Sequence, residues 1–505
     1  MNQRKAGTLL TYAYIILSNT ISLFYTPYML QMMGQSEYGL YGTASSFISY
    51  LSVLNFGIGG AYMRFNAKCR AENDREAEKR LNGMFLTVFS ILAFLVLIGG
   101  MVCVFLAGQL VEETFTEQEL VKLRIIMILL TVNLAITFIF NVVTMALQAY
   151  EKYVFIRSIT LVVALLTPII NIIALNMGGR AIAISAISLT LSILSYMLYF
   201  VYARKVVKLQ FAFKGFRKDV IIEIFIFSGY LFLNSITDQI TGSTDSIILS
   251  AVKGTTAVAV YTVGANFKAY FQQFSLAVSG CFGPMLNMMV AQNAGIKALD
   301  DVFRRVGRIQ FYVVSLILIG YLSIGKKFVC LWAGEDYSDS FYIGILLMVA
   351  VFIPAFQNVG VEIQKALNKH KARSVVYFFI ALLNIAMTIP FSIWWSGIGA
   401  ALATMISMLL GHGLFMNYYY GKVIGLDIVE FWKSIGSILP GYIAPCLAGI
   451  LINRYIIIDS FVDILLCAIC IVIIFGISVW FISMNQYEKE LIISLLKKIK
   501  VLKQH

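Results

Sequence analysis

The 505-residue chain is 60% hydrophobic and only 13% charged, with a mean hydropathy of +0.84, against roughly 45–50% apolar and 25% charged residues in a soluble domain. Charge this sparse cannot cover a soluble surface, so the composition excludes a soluble protein and calls for many membrane-spanning helices. The net charge of +13 lies in short loops between apolar runs, where lysine and arginine orient membrane proteins, and not in a stripe built for nucleic acid.

In chain order, apolar runs of about 20 residues, the length that crosses a bilayer, fall near 8–33, 39–64, 83–108, 123–148, 156–177, 181–203, 222–250, 255–280, 309–332, 341–366, 374–395, 398–420, 434–453 and 462–484. They predict an all-α polytopic membrane protein with fourteen transmembrane helices. MNQRKAGTLL opens the chain without a small-residue cleavage site, so the first run reads as a retained helix and not a removed signal peptide. With the N-terminus inside, 31 of the 39 lysines and arginines fall in inside segments and 7 in outside ones, and Lys268 is left within an apolar run. This asymmetry predicts cytoplasmic N- and C-termini and supports an even number of spans, because one missed span would invert every later loop. No loop is long enough for a soluble domain, so any function has to reside on helices and short turns. Cys467 and Cys470 form a CxxC inside LLCAICIVIIFGI with no histidine or turn beside it. They read as small core residues and not as a metal knuckle. The tail KELIISLLKKIKVLKQH is basic and amphipathic and is expected on the anionic inner leaflet.

The two halves resemble each other. At an offset of 220, Gly34, Tyr41, Phe47, Tyr50 and Gly60 fall on Gly254, Tyr261, Phe267, Tyr270 and Gly280; at an offset of 217, Asn141, Val142, Ala149 and Lys152 fall on Asn358, Val359, Ala366 and Lys369. Six helices per copy is an even number, so the copies share one orientation and form a parallel repeat about an axis along the membrane normal. The expected organisation is a six-helix bundle over 1–205, a second over 206–425, and helices 13 and 14 with the basic tail over 426–505.

Polar residues inside the apolar runs are the candidate functional groups. Asn234, Asp238, Thr241 and Asp245 recur at i, i+4, i+7 and i+11, which places them on one helical face. A carboxylate at the bilayer centre costs roughly 2.5–3.5 kcal/mol on insertion scales, so such a face should meet protein or water. Lys268, Gln272, Ser275 and Ser279 repeat that spacing in the next run, and Lys268 is a candidate partner for one of the aspartates. Asn358, Glu362, Lys365 and Lys369 form a third stripe, a candidate gate or coupling element in which Glu362 and Lys365 can pair locally. Arg64 ends the second run after NFGIGGAYMR, and Asn19 and Ser22 give the first a weaker polar face. Polar side chains also fasten helices to one another. For Asn and Ser that role weighs at least equally, and His412 in GHG reads as a packed helix residue.

The segments LFYTPYMLQMMGQSEYGLYG (23–42), NFGIGGAYMRFNAK (55–68), TDSIILSAVKGTTAVAVY (244–261) and IQKALNKHKARSVV (363–376), in that order and spacing, resemble the polysaccharide flippases of the multidrug/oligosaccharidyl-lipid/polysaccharide exporter superfamily. The resemblance implies a MATE-like architecture in a bacterial plasma membrane. It implies translocation of undecaprenyl-pyrophosphate-linked oligosaccharide from the cytoplasmic to the outer leaflet by alternating access. It also implies membrane lipids and polysaccharide polymerase or export machinery as partners, with no nucleic acid, no cofactor and no enzymatic reaction; the sequence has no GxxxxGK[ST] phosphate loop. A pyrophosphate cannot cross hydrocarbon unaided, and Lys268 and Arg64 are the candidates to meet it. Tyr50, Tyr261 and Tyr270 are candidates to stack on sugar rings. Asp238 and Asp245 are candidates for a driving sodium or proton site, or set the cavity's charge; no metal site is otherwise expected. The alternative is a cation-coupled multidrug or metabolite antiporter of the same superfamily, for which the aspartates would be the cargo site. A membrane enzyme would need clustered acids or histidines in a surface loop, and the acidic loops VEETFTEQE (111–119) and GEDYSDS (334–340) are short turns.

Overall fold

The computed structural model describes residues 3–502 apart from Phe56, Gly57, Phe216, Arg217, Gly280, Cys281, Asn368 and His370. The first copy of the repeat comprises α1 (Gln3–Leu51), α2 (Gly59–Ala71), α3 (Arg75–Leu110), α4 (Glu117–Ala149), α5 (Tyr153–Asn176) and α6 (Ala181–Tyr202). The second comprises α7 (Lys218–Ser279), α8 (Gly283–Ala291), α9 (Ile296–Ala333), α10 (Ser340–Phe356), α11 (Asn358–Ala366) and α12 (Lys371–Met408) with a short α13 (Met416–Tyr419). The chain ends in α14 (Ile428–Gly436), α15 (Ile443–Tyr455), α16 (Phe461–Ser478) and α17 (Gln486–Leu502).

Three of the long helices are broken inside. At 1.5 Å per residue, a straight α1 would measure about 70 Å against roughly 30 Å of hydrocarbon. Gly34 (φ 76°) divides α1, Gly254 (φ 79°) divides α7, and Trp395–Ser396 divide α12. Glycine occupies the first two breaks because positive φ costs it nothing. Ten helices among the described residues are long and apolar enough to cross a membrane. Two of them, Ser235–Leu276 and Arg373–Ile424, contain a break and count as two spans each, and the two halves of the divided α1 bring in the two apolar runs that are not among the ten. The total is the fourteen predicted from the apolar runs. The predicted span 39–64 is not one helix, however. It stops at Leu51, passes through a 3-10 turn over Ser52–Asn55 and resumes at Gly59, in the glycine-rich stretch that gives the backbone least support. The predicted span 341–366 is likewise interrupted at Gln357, just after Pro354 has removed a helical donor.

The internal repeat is written in the backbone. Gly34 and Gly254 share their unusual conformation at an offset of 220, and so do Asn73 (φ 55°) and Asn293 (φ 54°). Gly178 and Ser396 both have positive φ at an offset of 218, and Lys208 and Gly425 at 217. Both asparagines lie two residues beyond a helix C-terminus, where a left-handed residue satisfies the last carbonyls. Asparagine is among the few side chains that tolerate that conformation.

The described chain divides into two compact units, Met1–Thr262 with Ile385–Ala400, and Val263–Asn384 with Ala401–His505. In the first, Tyr62, Phe85, Phe89, Phe138 and Val142 form one buried cluster, and Leu40, Phe47, Val104 and Ile126 another. Along α3, Phe85 and Phe89 are buried, whereas Phe94 and Phe105 are 62% and 66% exposed. Large apolar side chains facing outward along a whole helix are a lipid-facing surface. Polar networks close the ends of this unit. Glu37 accepts from Lys122 Nζ and from the backbone N–H of Ala181. Glu78, also buried, accepts from Tyr150 at 2.8 and 3.0 Å and from Asn66 at 3.3 Å. Burial and the adjacent Glu78 raise the Tyr150 phenol above its ordinary pKa, which keeps it a donor.

In the second unit, Arg308 on α9 is the centre of a buried network. Its guanidinium pairs with Glu488 of α17 at 2.6 Å and donates to the carbonyls of Ser434 and Ser483 and to Ser437 Oγ. The tail helix predicted to rest on the inner leaflet is therefore fastened to protein at its first turn. Cys467 is buried and Cys470 exposed, both as free thiols.

Candidate functional site

The predicted α7 stripe does not share one environment. Asp245 is only 2% exposed, Thr241 is half-buried, Asp238 is exposed, and the Asn234 side chain lies outside the described residues. Asp245 Oδ2 accepts from the Tyr261 hydroxyl and Oδ1 accepts from Thr388 Oγ1 at 3.2 Å. Tyr261 lies on the far side of the Gly254 break and Thr388 on α12, so one carboxylate ties three helical segments together. Thr241 returns its hydroxyl to the Thr237 carbonyl at 2.9 Å. Asp238 and Asp245 are two turns apart, about 10 Å along the axis. That is too far for both to ligate one cation at the roughly 2.3–2.6 Å of oxygen ligands to an ion such as calcium.

Around this carboxylate runs a chain of hydroxyls that the aspartate spacing alone did not reveal. Ser243 Oγ lies 2.9 Å from Ser49 Oγ, Gln239 Nε2 donates to both, and the Thr244 hydroxyl bonds that of Tyr50. The available signal was the serine-rich run TASSFISYLS (43–52) in the second half of α1. These bonds correct one expectation. Tyr261 is 3% exposed with its hydroxyl on Asp245, so its ring is a packed wall and not a platform for a sugar.

Close packing here depends on glycine. A Cβ on Gly39 would lie 1.9 Å from the Thr255 carbonyl oxygen, so α1 and α7 meet backbone to backbone just past their two glycine breaks. Small residues at such crossings are how helices approach without the hydrophobic drive that water supplies.

Apart from Arg64, the remaining candidates belong to the second unit. Lys268 is half-buried and Gln272 exposed. Below them the stripe becomes fastening: Ser275 donates to the Ala355 carbonyl, and Asn358 Nδ2 donates to Ser279 Oγ at 2.9 Å. Glu362 and Lys365 form the anticipated local pair at 2.8 Å. His412 packs against Tyr377 with Nδ1 2.8 Å from the phenol oxygen. In the first unit, Arg64 is exposed, its guanidinium 4.9 Å from the centre of the Phe65 ring. No group of three or more His, Cys, Asp or Glu side chains among the described residues is arranged to hold a metal ion.

Asp245→Asn tests the central bond directly. It keeps the shape but turns an NH2 towards one of two donors, and the expected cost is about 1–3 kcal/mol. The melting temperature of the purified protein falls, and falls further for Asp245→Leu, which leaves both donors unpaired. An unchanged melting temperature in both variants would remove Asp245 from the packing argument.

The family model described as polysaccharide biosynthesis protein matches residues 5–289, more than half of the chain. The chain belongs to that family. A relative from Bacillus subtilis (strain 168), the uncharacterized membrane protein EpsK, is 18% identical over 504 residues and covers 96% of either chain. Among solved structures, the lipid II flippase MurJ in an inward closed conformation aligns with a TM-score of 0.65 at 16% identity, covering 93% of this chain and 97% of that one. An inward-facing multidrug resistance MATE family transporter of the MOP superfamily aligns at 0.61 and 14%, covering 83% and 99%. The family member therefore has the MATE-like fold predicted from its sequence and is a multi-pass membrane protein.

Proposed function

We propose that the protein is a flippase. It carries undecaprenyl-pyrophosphate-linked oligosaccharide from the cytoplasmic to the outer leaflet of a bacterial plasma membrane by alternating access, for surface polysaccharide synthesis. One observation carries this reading: a polysaccharide biosynthesis family member has, over 93% of its length, the fold of a lipid II flippase. The 31-to-7 charge asymmetry supports cytoplasmic termini. Lys268 and Arg64 are the cations proposed to meet the pyrophosphate, and polymerase or export machinery are the proposed partners that receive the product. Coupling to a sodium or proton gradient is assigned to Asp238, which is exposed, in preference to Asp245, which is bonded on both oxygens. That bonding also removes Asp245 from the antiporter alternative's cargo site and leaves Asp238 as its one carboxylate.

The test is leaflet accessibility in proteoliposomes, using a pyrophosphate-linked oligosaccharide and an impermeant glycosidase. Wild type is expected to expose the glycan, Lys268→Ala to slow its appearance at least about tenfold, and Asp238→Asn to lose gradient dependence. Export of a small cation in exchange for sodium or protons, with no glycan movement, would install the antiporter instead.

A further inference from the structure

The first unit holds an open cavity of about 450 Å³ between the first half of α1, α5 and α6, within the roughly 300–1,000 Å³ of small-ligand sites. Of the polar faces read from the sequence, only the weak one on the first run reaches it, through Ser22. Ten of its fourteen lining residues carry a hydroxyl and none carries a charge. They include Tyr14, Tyr25, Tyr196 and Tyr199, with four serines and two threonines.

The wall is built to bond something. Pro168 lies inside α5 and has no N–H, so the carbonyl of Ala164, four residues back and also on the wall, lacks its helical donor. The hydroxyls of Thr160, Thr167 and Ser195 donate back to carbonyls of their own helices at 2.7–2.9 Å, which leaves oxygen lone pairs on the wall, with that of Thr160 3.5 Å from the Tyr199 hydroxyl. Tyr25 Oη accepts from Asn171 Nδ2 at 3.0 Å, which leaves its proton to be donated. The rings are held in place: Tyr196 stacks on Phe140 at 5.5 Å and meets Tyr199 edge-on at 6.1 Å.

This chemistry selects among the parts of a lipid-linked glycan. An isoprenoid tail would bury the hydroxyls against hydrocarbon and offer nothing to their remaining donor and acceptor positions, where each polar group left without a partner costs roughly 1–3 kcal/mol on protein scales. A pyrophosphate would find no cation. An uncharged saccharide exchanges hydroxyl for hydroxyl and lays its C–H faces on aromatic rings, the mixture of apolar walls and placed polar groups that fixes small ligands. We propose that this α1–α5–α6 cavity binds the uncharged sugar portion of the cargo. The proposal rests on the flippase reading and divides its substrate: the sugar sits against neutral hydroxyls, and the pyrophosphate is met by cations elsewhere.

The experiment measures binding of two probes to the full-length protein in nanodiscs. One is the polyprenyl-pyrophosphate oligosaccharide extracted from the producing cell, and the other is polyprenyl pyrophosphate without sugar. Wild type is expected to bind the glycosylated lipid at least tenfold more tightly. Ala164→Phe, which fills the cavity, is expected to abolish that preference and leave affinity for the bare lipid unchanged. Tyr14→Phe removes a single wall hydroxyl and should reduce the preference about three- to tenfold with the melting temperature of wild type, which covers the case of a misfolded Ala164→Phe. A glycan preference retained in both variants would overturn the sugar site and leave the flippase reading intact. Wild type that binds neither lipid would overturn that reading and the sugar site with it.

Discussion

Glu488→Ala is expected to destabilise the protein by about 3–5 kcal/mol, the cost of leaving one buried charge without its partner. Arg308 and Glu488 are 8% and 4% exposed, so water does not screen the loss. Glu488 Oε1 and Oε2 accept from the guanidinium at 2.6 and 3.1 Å, and Oε2 also accepts from Tyr312 and from the backbone N–H of Asn485. The Asn485 side chain in turn accepts from the Glu488 N–H at 2.9 Å, a reciprocal cap on α17. Removing the carboxylate therefore frees the start of α17 and orphans a guanidinium that also binds the carbonyls of Ser434 and Ser483. Dye-monitored melting in detergent should show a drop of several degrees, and protease should cut near Met484 in the variant first. The double variant Arg308→Met with Glu488→Leu should recover most of the loss, because no charge is then stranded. If Glu488→Ala melts with wild type, the network is not a structural lock.

Gly39→Ala is expected to cost about 1–3 kcal/mol, the usual range for overpacking, and Gly42→Ala only a fraction of that. The two sites are less than a turn apart but meet different neighbours. A Cβ at Gly39 would strike the Thr255 backbone carbonyl at 1.9 Å, whereas one at Gly42 would meet Thr262 Oγ1 at 3.1 Å and Val258 Cγ1 at 3.3 Å. Side-chain ends can rotate aside; a helix backbone can yield only by moving the helix. Comparing melting temperatures and folded yield of the two variants checks the difference. Equal behaviour would mean that the crossing is looser than its geometry.

Much of the architecture was legible in the residues. Lipid rewards apolar length residue by residue, so fourteen crossings were countable without knowing what packs against what. The alignment of Gly34 with Gly254 in the sequence fell on the two positive-φ glycines that divide α1 and α7. The interruptions after Leu51 and at Gln357 were not legible, because apolar composition runs straight through them and only backbone geometry reports the break.

The candidate site was legible in part. Helical spacing placed Asp238 and Asp245 on one face, but burial separates them, since a helix face has no single environment along its length. Asp245 is buried by Tyr261, beyond a kink, and by Thr388, 143 residues away. Arg308 finds Glu488 180 residues on, and the hydroxyl-lined cavity assembles from three helices, none of them more than weakly polar in sequence. The sequence by itself determined membrane insertion, crossing number and internal repetition, because each depends on the local cost of placing a residue in hydrocarbon. Only the tertiary structure decided which polar groups are paired, buried or open to a ligand. A hydrogen bond acts over about 3 Å, and which distant groups come that close depends on how the helices pack.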